Sequence, residues 1–226
     1  RQDVQSTFNA QLDLVKNVLK LNADYTFQRN TRNYNRFVTP YEIGFGPNDV
    51  RTEGTSSAAR SGGFSYYNVY NIFASYNQQF NRHNVSAILG FNQEDFRSEL
   101  FNGQMTELIS SNFPTPALAT GEATFGEAID KYALRGAFYR FNYTYDDKYI
   151  IELNGRYDGT SRFPKDKRFG FFPSGSAAWR LDRENFLRDV EQINLLKIRG
   201  SYGALGNQAV SNFGYIPSME VSRSGY

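Results

Sequence analysis

Polar and apolar positions in this chain alternate along paired segments that are separated by connections of unequal length. In YIIELNGRYD, from Tyr149, the side chains of Tyr149, Ile151, Leu153 and Tyr157 fall on one side of an extended chain. Glu152, Asn154, Arg156 and Asp158 fall on the other. A period of two belongs to a strand, and 3.6 would belong to a helix. Strands of soluble sandwiches alternate too, but here aromatics gather toward the segment ends and charges occupy the opposite side, as in a transmembrane barrel strand.

The same pattern recurs in pairs. Residues 4–14 and 18–29 flank a turn at Val15-Lys16-Asn17, and 64–80 and 84–100 flank one at Asn81 to Asn84. Residues 131–145 and 149–158 flank Asp146-Asp147, and 169–181 pairs with 195–202. Between pairs lie long polar stretches with Gly and Pro, at about 30–63, 101–130, 159–168 and 203–226, which read as loops. GEATFGEAID (121–130) is expected to hold a short helix, and DRENFLRDVEQIN has helical spacing at Phe186, Leu187 and Val190. Short turns at one end and long loops at the other are the asymmetry of outer-membrane barrels. The predicted fold is therefore all-β, an antiparallel transmembrane β-barrel with about eight strands present.

Composition narrows the class further. A helical membrane protein needs roughly 20 consecutive apolar residues per span, and no such run occurs. Barrel strands need only about 9–11 residues and hide half of them from lipid, so a mean hydropathy of -0.58 is compatible with a membrane. The 20 Phe and 16 Tyr supply rings for interfacial girdles. Cysteine is absent, which excludes disulfides, thiolate metal sites and a Cys nucleophile. A net charge of +2 gives no footprint for nucleic acid.

Three segments in order carry a family resemblance: GRYDGTSRF (155–163), RFGFFPSGSAAWRL (168–181) and INLLKIRGSYGALGNQ (193–208). They closely resemble the SusC/RagA family of TonB-linked outer-membrane receptors, over about residues 148–208. The resemblance implies a barrel of the 22-stranded type, plugged by an N-terminal domain. It further implies import of an oligosaccharide or peptide, energy delivered by TonB through the plug, and a SusD-like surface lipoprotein as lid. On that reading the chain is part of the barrel domain, embedded in outer-membrane lipid of a Gram-negative bacterium. The plug and the remaining strands lie elsewhere in one polypeptide, because open sheet edges in lipid cost several kcal/mol per unpaired group.

Candidate contact residues follow from charge and place. Asp158, Arg162 and Arg168 flank the loop at 159–168, where they either hydrogen-bond sugar hydroxyls or a peptide carboxylate, or pair among themselves to hold the loop. Arg156, Glu152 and Arg199 face the lumen with Asn154, lining a path or contacting the plug. His83, the only histidine, reads as a solvated turn residue, Asp146-Asp147 as turn chemistry, and Trp179 as a strand anchor at the membrane interface. The sequons at Asn84 and Asn142 are chance matches. No nucleophile, metal cluster or phosphate loop stands out, so no cofactor and no catalysis are expected.

Two rival readings remain at this stage. One is a self-contained eight-stranded barrel, an anchor or small porin, which requires the first and last strands to pair near Ala10 and Ile198. The other is a soluble all-β carbohydrate-binding module, in which the face bearing Ala133, Tyr139, Phe141 and Tyr143 is buried under a second sheet.

Overall fold

The computed structural model describes residues 1–187, 192–212 and 214–216. Its strands are β1 (Gln2–Val15), β2 (Leu19–Val38), β3 (Tyr41–Gly46), β4 (Asp49–Glu53) and β5 (Ser57–Phe80). They continue with β6 (His83–Thr106), β7 (Ala123–Tyr145), β8 (Tyr149–Thr160), β9 (Phe169–Arg180) and β10 (Lys197–Gly203). One sheet runs in the order β1-β2-β5-β6-β7-β8-β9-β10, and β3 and β4 form a separate two-stranded sheet.

Every strand expected from the alternation is present, and four are much longer than expected. β2 continues to Val38, β5 starts at Ser57, β6 continues to Thr106 and β7 starts at Ala123. Part of the stretch at 30–63 that reads as loop is thus strand, and so is part of 101–130. A span needs about 9–11 residues, whereas β5 and β6 have 24 each. Along the added stretches polar residues break the alternation while the backbone ladder goes on. Polarity alone therefore reads as loop. The helix expected at 121–130 is also replaced, since β7 already begins at Ala123 beside β6. The helical spacing after β9 gives a 3₁₀ turn at Leu181–Arg183 and a turn closed by Leu187 N–H donating to the Glu184 carbonyl (3.0 Å); Val190 lies outside the described residues.

The turns show why each hairpin reverses where it does. Asp146 and Asp147 take φ of 49° and 53°, the paired left-handed conformation of a type I′ turn, closed by Lys148 N–H to the Tyr145 carbonyl at 2.9 Å. Asn17 (φ 62°) and Asn81 (φ 51°) are the other left-handed turn residues in the short hairpins. Asp and Asn tolerate this region better than other side-chain-bearing residues.

Contacts divide the chain into two compact units. The first comprises Arg1–Ser6, Phe27–Tyr67 and Phe96–Lys131. Within it the Arg29 guanidinium lies 5.4 Å from the Phe27 ring and 4.8 Å from that of Tyr66, and buried Asn30 bonds Asp3 and accepts from Arg32 Nε (3.0 Å). Gly62 leaves room for the Phe101 ring. The β3–β4 hairpin also belongs to this unit, turning at Pro47-Asn48 with a register irregularity between Gly44 and Gly46.

The second unit comprises Thr7–Thr26, Asn68–Asp95 and Tyr132–Tyr226. Its register aligns Phe141↔Leu153, Leu153↔Gly175 and Gly175↔Tyr202, so these residues share one face. Tyr143, Ile151 and Ala177 join them, as do Tyr149, Trp179 and Ile198. The next positions along, Asn142, Glu152, Ser176 and Ser201, share the other face. The apolar face is not covered: Leu153 is 47% exposed and Tyr157 51%. Among the described residues Ala58 is the sole fully buried hydrophobic.

A sheet without a core, its apolar side chains turned outward, does not fold as a soluble sandwich. The soluble module reading fails on that ground, since Tyr139 is exposed and, among the described residues, the second sheet has only two strands. The self-contained barrel fails on topology, because β1 and β10 stand at opposite ends of the strand order and are not paired.

Candidate functional site

The end of β8 builds the site. Arg156 and Asp158 are two residues apart in a strand and so share the polar face. Arg156 grips Asp158 in a fork, with Nε to Oδ2 at 2.8 Å and Nη2 to Oδ1 at 2.9 Å. The neighbours make room for this pair. Asp158 is in register with Gly136 of β7 and Gly170 of β9, and its carboxylate occupies the space a side chain at Gly136 would need. Arg156 is in register with Phe138 and Phe172, its guanidinium carbon 5.5 Å from the Phe138 ring centre. The Phe138 ring in turn takes the space that a side chain at Gly90 of β6 would fill.

The loop after β8 is fixed at both ends. Ser161 N–H donates to the Ala133 carbonyl and Ala133 N–H to Ser161 Oγ, both at 2.9 Å. Thr160 N–H donates to the Arg168 carbonyl at 3.1 Å, and Arg168 Nε donates to the Phe163 carbonyl at 3.1 Å. Lys165–Lys167 form a single 3₁₀ turn. Arg162 leaves this loop and reaches the chain that follows β10, donating from Nε to Asn212 Oδ1 (2.8 Å) and from Nη1 to the Gln208 carbonyl (3.1 Å). Its guanidinium carbon lies 4.3 Å from the Tyr132 ring centre. Residues 204–212 thus form a strap, anchored at its start by Ala204 N–H to the Pro173 carbonyl (2.9 Å) and lying with Gly206 against the Phe172 ring.

A cleft of about 390 Å³ lies among these parts, lined by Arg156, Asp158, Lys167, Arg168, Glu94 and the strap residues Leu205 to Gln208. That volume falls in the usual ligand range of roughly 300–1,000 Å³. Three of the six sequence candidates, Arg156, Asp158 and Arg168, meet here, and Arg162 tethers its rim. The other two do not join them. Glu152 and Arg199 line a separate cleft of about 350 Å³ with Ser174, Ser176 and Ser201. There Asn154 Nδ2 donates to Glu152 Oε1 (2.7 Å), Arg140 Nε donates to Asn154 Oδ1 (2.9 Å), and Arg199 donates to Ser176 Oγ (3.3 Å).

A second polar cluster lies at the turns, and charge spacing did not single it out. Glu184 accepts from Tyr149 Oη at 2.7 Å, Trp179 Nε1 at 3.0 Å and Lys148 Nζ at 3.5 Å. Lys148 also pairs with Asp146 (3.5 Å), Asp146 with Arg82 (3.7 Å), Arg183 with Asp147 (3.3 Å) and Arg180 with Asp182 (2.6 Å). Hydrogen bonds from Tyr149, then Trp179, hold the Glu184 carboxyl below its ordinary pKa, and the Arg180 fork does the same for Asp182. The rings of Tyr145, Tyr149 and Trp179 stack in sequence at 6.4 and 6.2 Å.

His83 is exposed, as expected, and stands directly after the two turn residues, where it opens β6. Its Nδ1 and Tyr143 Oη are hydrogen-bonded at 2.7 Å, with the ring 4.9 Å from that of Tyr145. Among the described residues no three His, Asp or Glu converge as metal ligands, and no helix is long and apolar enough to cross a membrane.

Comparison with known proteins places this architecture. Residues 1–215 match the profile of the TonB dependent receptor-like β-barrel family. TonB-dependent receptor P3 of Formosa agariphila is 33% identical over 156 residues, which is 66% of this chain and 16% of that protein. TonB-dependent receptor SusC of Bacteroides thetaiotaomicron is 29% identical over 190 residues, 82% of this chain and 18% of that protein. A solved structure of the RagAB peptide transporter superposes with a TM-score of 0.78 over 93% of this chain and 23% of that one, at 19% identity, a likeness of fold. The chain therefore spans less than a fifth of the length of these curated relatives.

Proposed function

The chain belongs to the TonB dependent receptor-like β-barrel family, and from that premise we propose that it forms part of the barrel wall of an outer-membrane importer for oligosaccharides or peptides. That family consists of outer-membrane β-barrel proteins acting as receptors and transporters. The observation that carries the reading is the two-faced sheet: Ile151, Leu153 and Tyr157 exposed on one side, Glu152, Asn154 and Arg156 on the other. Such a sheet is satisfied with lipid on one side and a wet lumen on the other.

The strand order supports a place within a larger barrel. β1 and β10 each present an unpaired edge, which lipid does not tolerate, so further strands of the full receptor would complete the wall. The long connections, including the β3–β4 hairpin and the loop at 159–168, would face the outside, and the turns around Glu184 the periplasm. In this reading a SusD-like lipoprotein closes over bound cargo, and TonB, pulling on the plug, opens the lumen. The residues described here position and enclose cargo and perform no catalytic step.

The test is uptake by the full-length receptor in its native host. The protein is expected in the outer-membrane fraction, and its deletion, or loss of TonB, is expected to abolish uptake of one class of labelled oligosaccharide or peptide. Recovery in the soluble fraction, or uptake unchanged without TonB, defeats the proposal.

A further inference from the structure

The cleft beneath the 204–212 strap has a positive lining, in which Arg135, Arg156, Lys167 and Arg168 outnumber the carboxylates of Glu94 and Asp158. Arg156 is committed to Asp158 by its fork, so this pair forms a fixed wall. Lys167 and Arg168 line the same cleft, and among the described residues neither has a carboxylate partner. Arg168 spends one donor, Nε, on the Phe163 carbonyl, a bond that fixes the side chain's direction and, among the described residues, leaves its other guanidinium donors uncommitted. A guanidinium held in one direction loses less entropy on meeting a carboxylate than a free one does. The strap closes the same space, since Leu205 to Gln208 line it and Arg162 holds Gln208 in place.

We infer that this cleft is a subsite for a carboxylate-bearing unit of the cargo, gripped by Arg168 and Lys167 and covered by the strap that Arg162 latches. The inference rests on the import reading and deepens it by naming a chemical class. Acidic sugars and acidic peptide side chains share this group, and the cleft's volume of about 390 Å³ accommodates one such unit.

The experiment uses the intact receptor complex isolated from its membrane, titrated calorimetrically with two pairs of probes. One pair is trigalacturonate and its methyl ester; the other is a blocked Ala-Glu-Ala tripeptide and its Gln counterpart. In at least one pair the acid is expected to bind about tenfold more tightly than its neutral partner, the loss expected for one charge-assisted hydrogen bond, and the responding pair identifies the source. Arg168→Gln combined with Lys167→Gln is expected to remove that preference, so that acid and neutral partner bind alike. Equal binding of acid and neutral partner in both pairs, or no binding of either, overturns the inference without any variant having to fold. A preference that survives in the double variant overturns it as well. A receptor that still needs TonB for uptake but ignores charge loses this subsite and keeps the import reading; TonB-independent uptake removes the import reading itself.

Discussion

The turn cluster around Glu184 and the cleft around Arg168 are built from the same kinds of side chain, and they differ in how completely the charges are matched. In the turn cluster Arg82, Lys148, Arg180 and Arg183 all face carboxylates within 4 Å, and Glu184 adds two aromatic donors. In the cleft Arg156 and Asp158 match each other while Lys167 and Arg168 do not. A closed network holds chain reversals in place. An open one keeps charge for a ligand. The aromatics follow the same division: Tyr145, Tyr149 and Trp179 stack in a row at the turns, whereas Phe138 and Phe172 flank an arginine at the cleft.

Separate variants in the full-length receptor break this contrast from either side. The largest effect is expected from Trp179→Ala, which removes a stacked ring and a donor to Glu184 from the turn cluster. It should cost about 2 kcal/mol of stability, read as a lower urea midpoint in lipid vesicles, while affinity at the cleft stays unchanged. A cleft affinity that falls with it would mean the two regions are one.

Arg162→Ala acts on the opposite side. Without its two hydrogen bonds to Gln208 and Asn212 the strap is expected to open, raising the cargo Kd about five- to tenfold and exposing residues 204–212 to faster backbone hydrogen exchange. The unfolding midpoint should move little. Arg162→Lys should restore little of the affinity, because an ammonium cannot span both acceptors as the guanidinium fork does.

The pH response sharpens the comparison. Tyr149, then Trp179, hold the folded Glu184 carboxyl below the ordinary value of 4.5, so the unfolded chain takes up the proton first as pH falls. The stability this group contributes is complete above that ordinary value and is lost as pH drops through the lower folded one. The difference in midpoint between the native chain and Glu184→Gln should therefore be flat at neutral pH and shrink in acid below about 4.5. A difference that grows in acid would contradict the hydrogen-bonding pattern.

The smallest effect is expected from Asp158→Asn. The Arg156–Asp158 pair is about half exposed, and exposed pairs are worth roughly 0–1 kcal/mol even with good geometry. The unfolding free energy from urea titration should fall by less than about 1 kcal/mol, and a larger loss would show the fork to be a structural clamp like those at the turns.

Much of this contrast was legible along the chain, though not all of it. Arg156 and Asp158 announce their shared face by spacing alone, and Trp179 at a strand end announces an anchor. Glu184 gave no such signal, because its partners Tyr149 and Lys148 lie a hairpin away and meet it only once β8 and β9 are in register. Gly136 and Gly90 stand inside strands, where a glycine lets a neighbour approach closely. In the structure they are the spaces that the Asp158 carboxylate and the Phe138 ring fill.

What the sequence determined by itself was parity. In a strand, position fixes side, so the alternation from Tyr149 to Asp158 assigned each residue to the apolar or the polar face and required a sheet that is apolar on one side only. The order of its three motifs also carried the family. Tertiary structure decided what alternation does not encode: how far β2, β5, β6 and β7 extend where polar residues break the pattern, and that a hairpin folds within the polar stretch at 30–63. It alone brought Arg162 of one motif to Gln208 of another, 46 residues away. Such meetings depend on strand order and register, which backbone hydrogen bonds set between segments distant in sequence, and no local pattern records them.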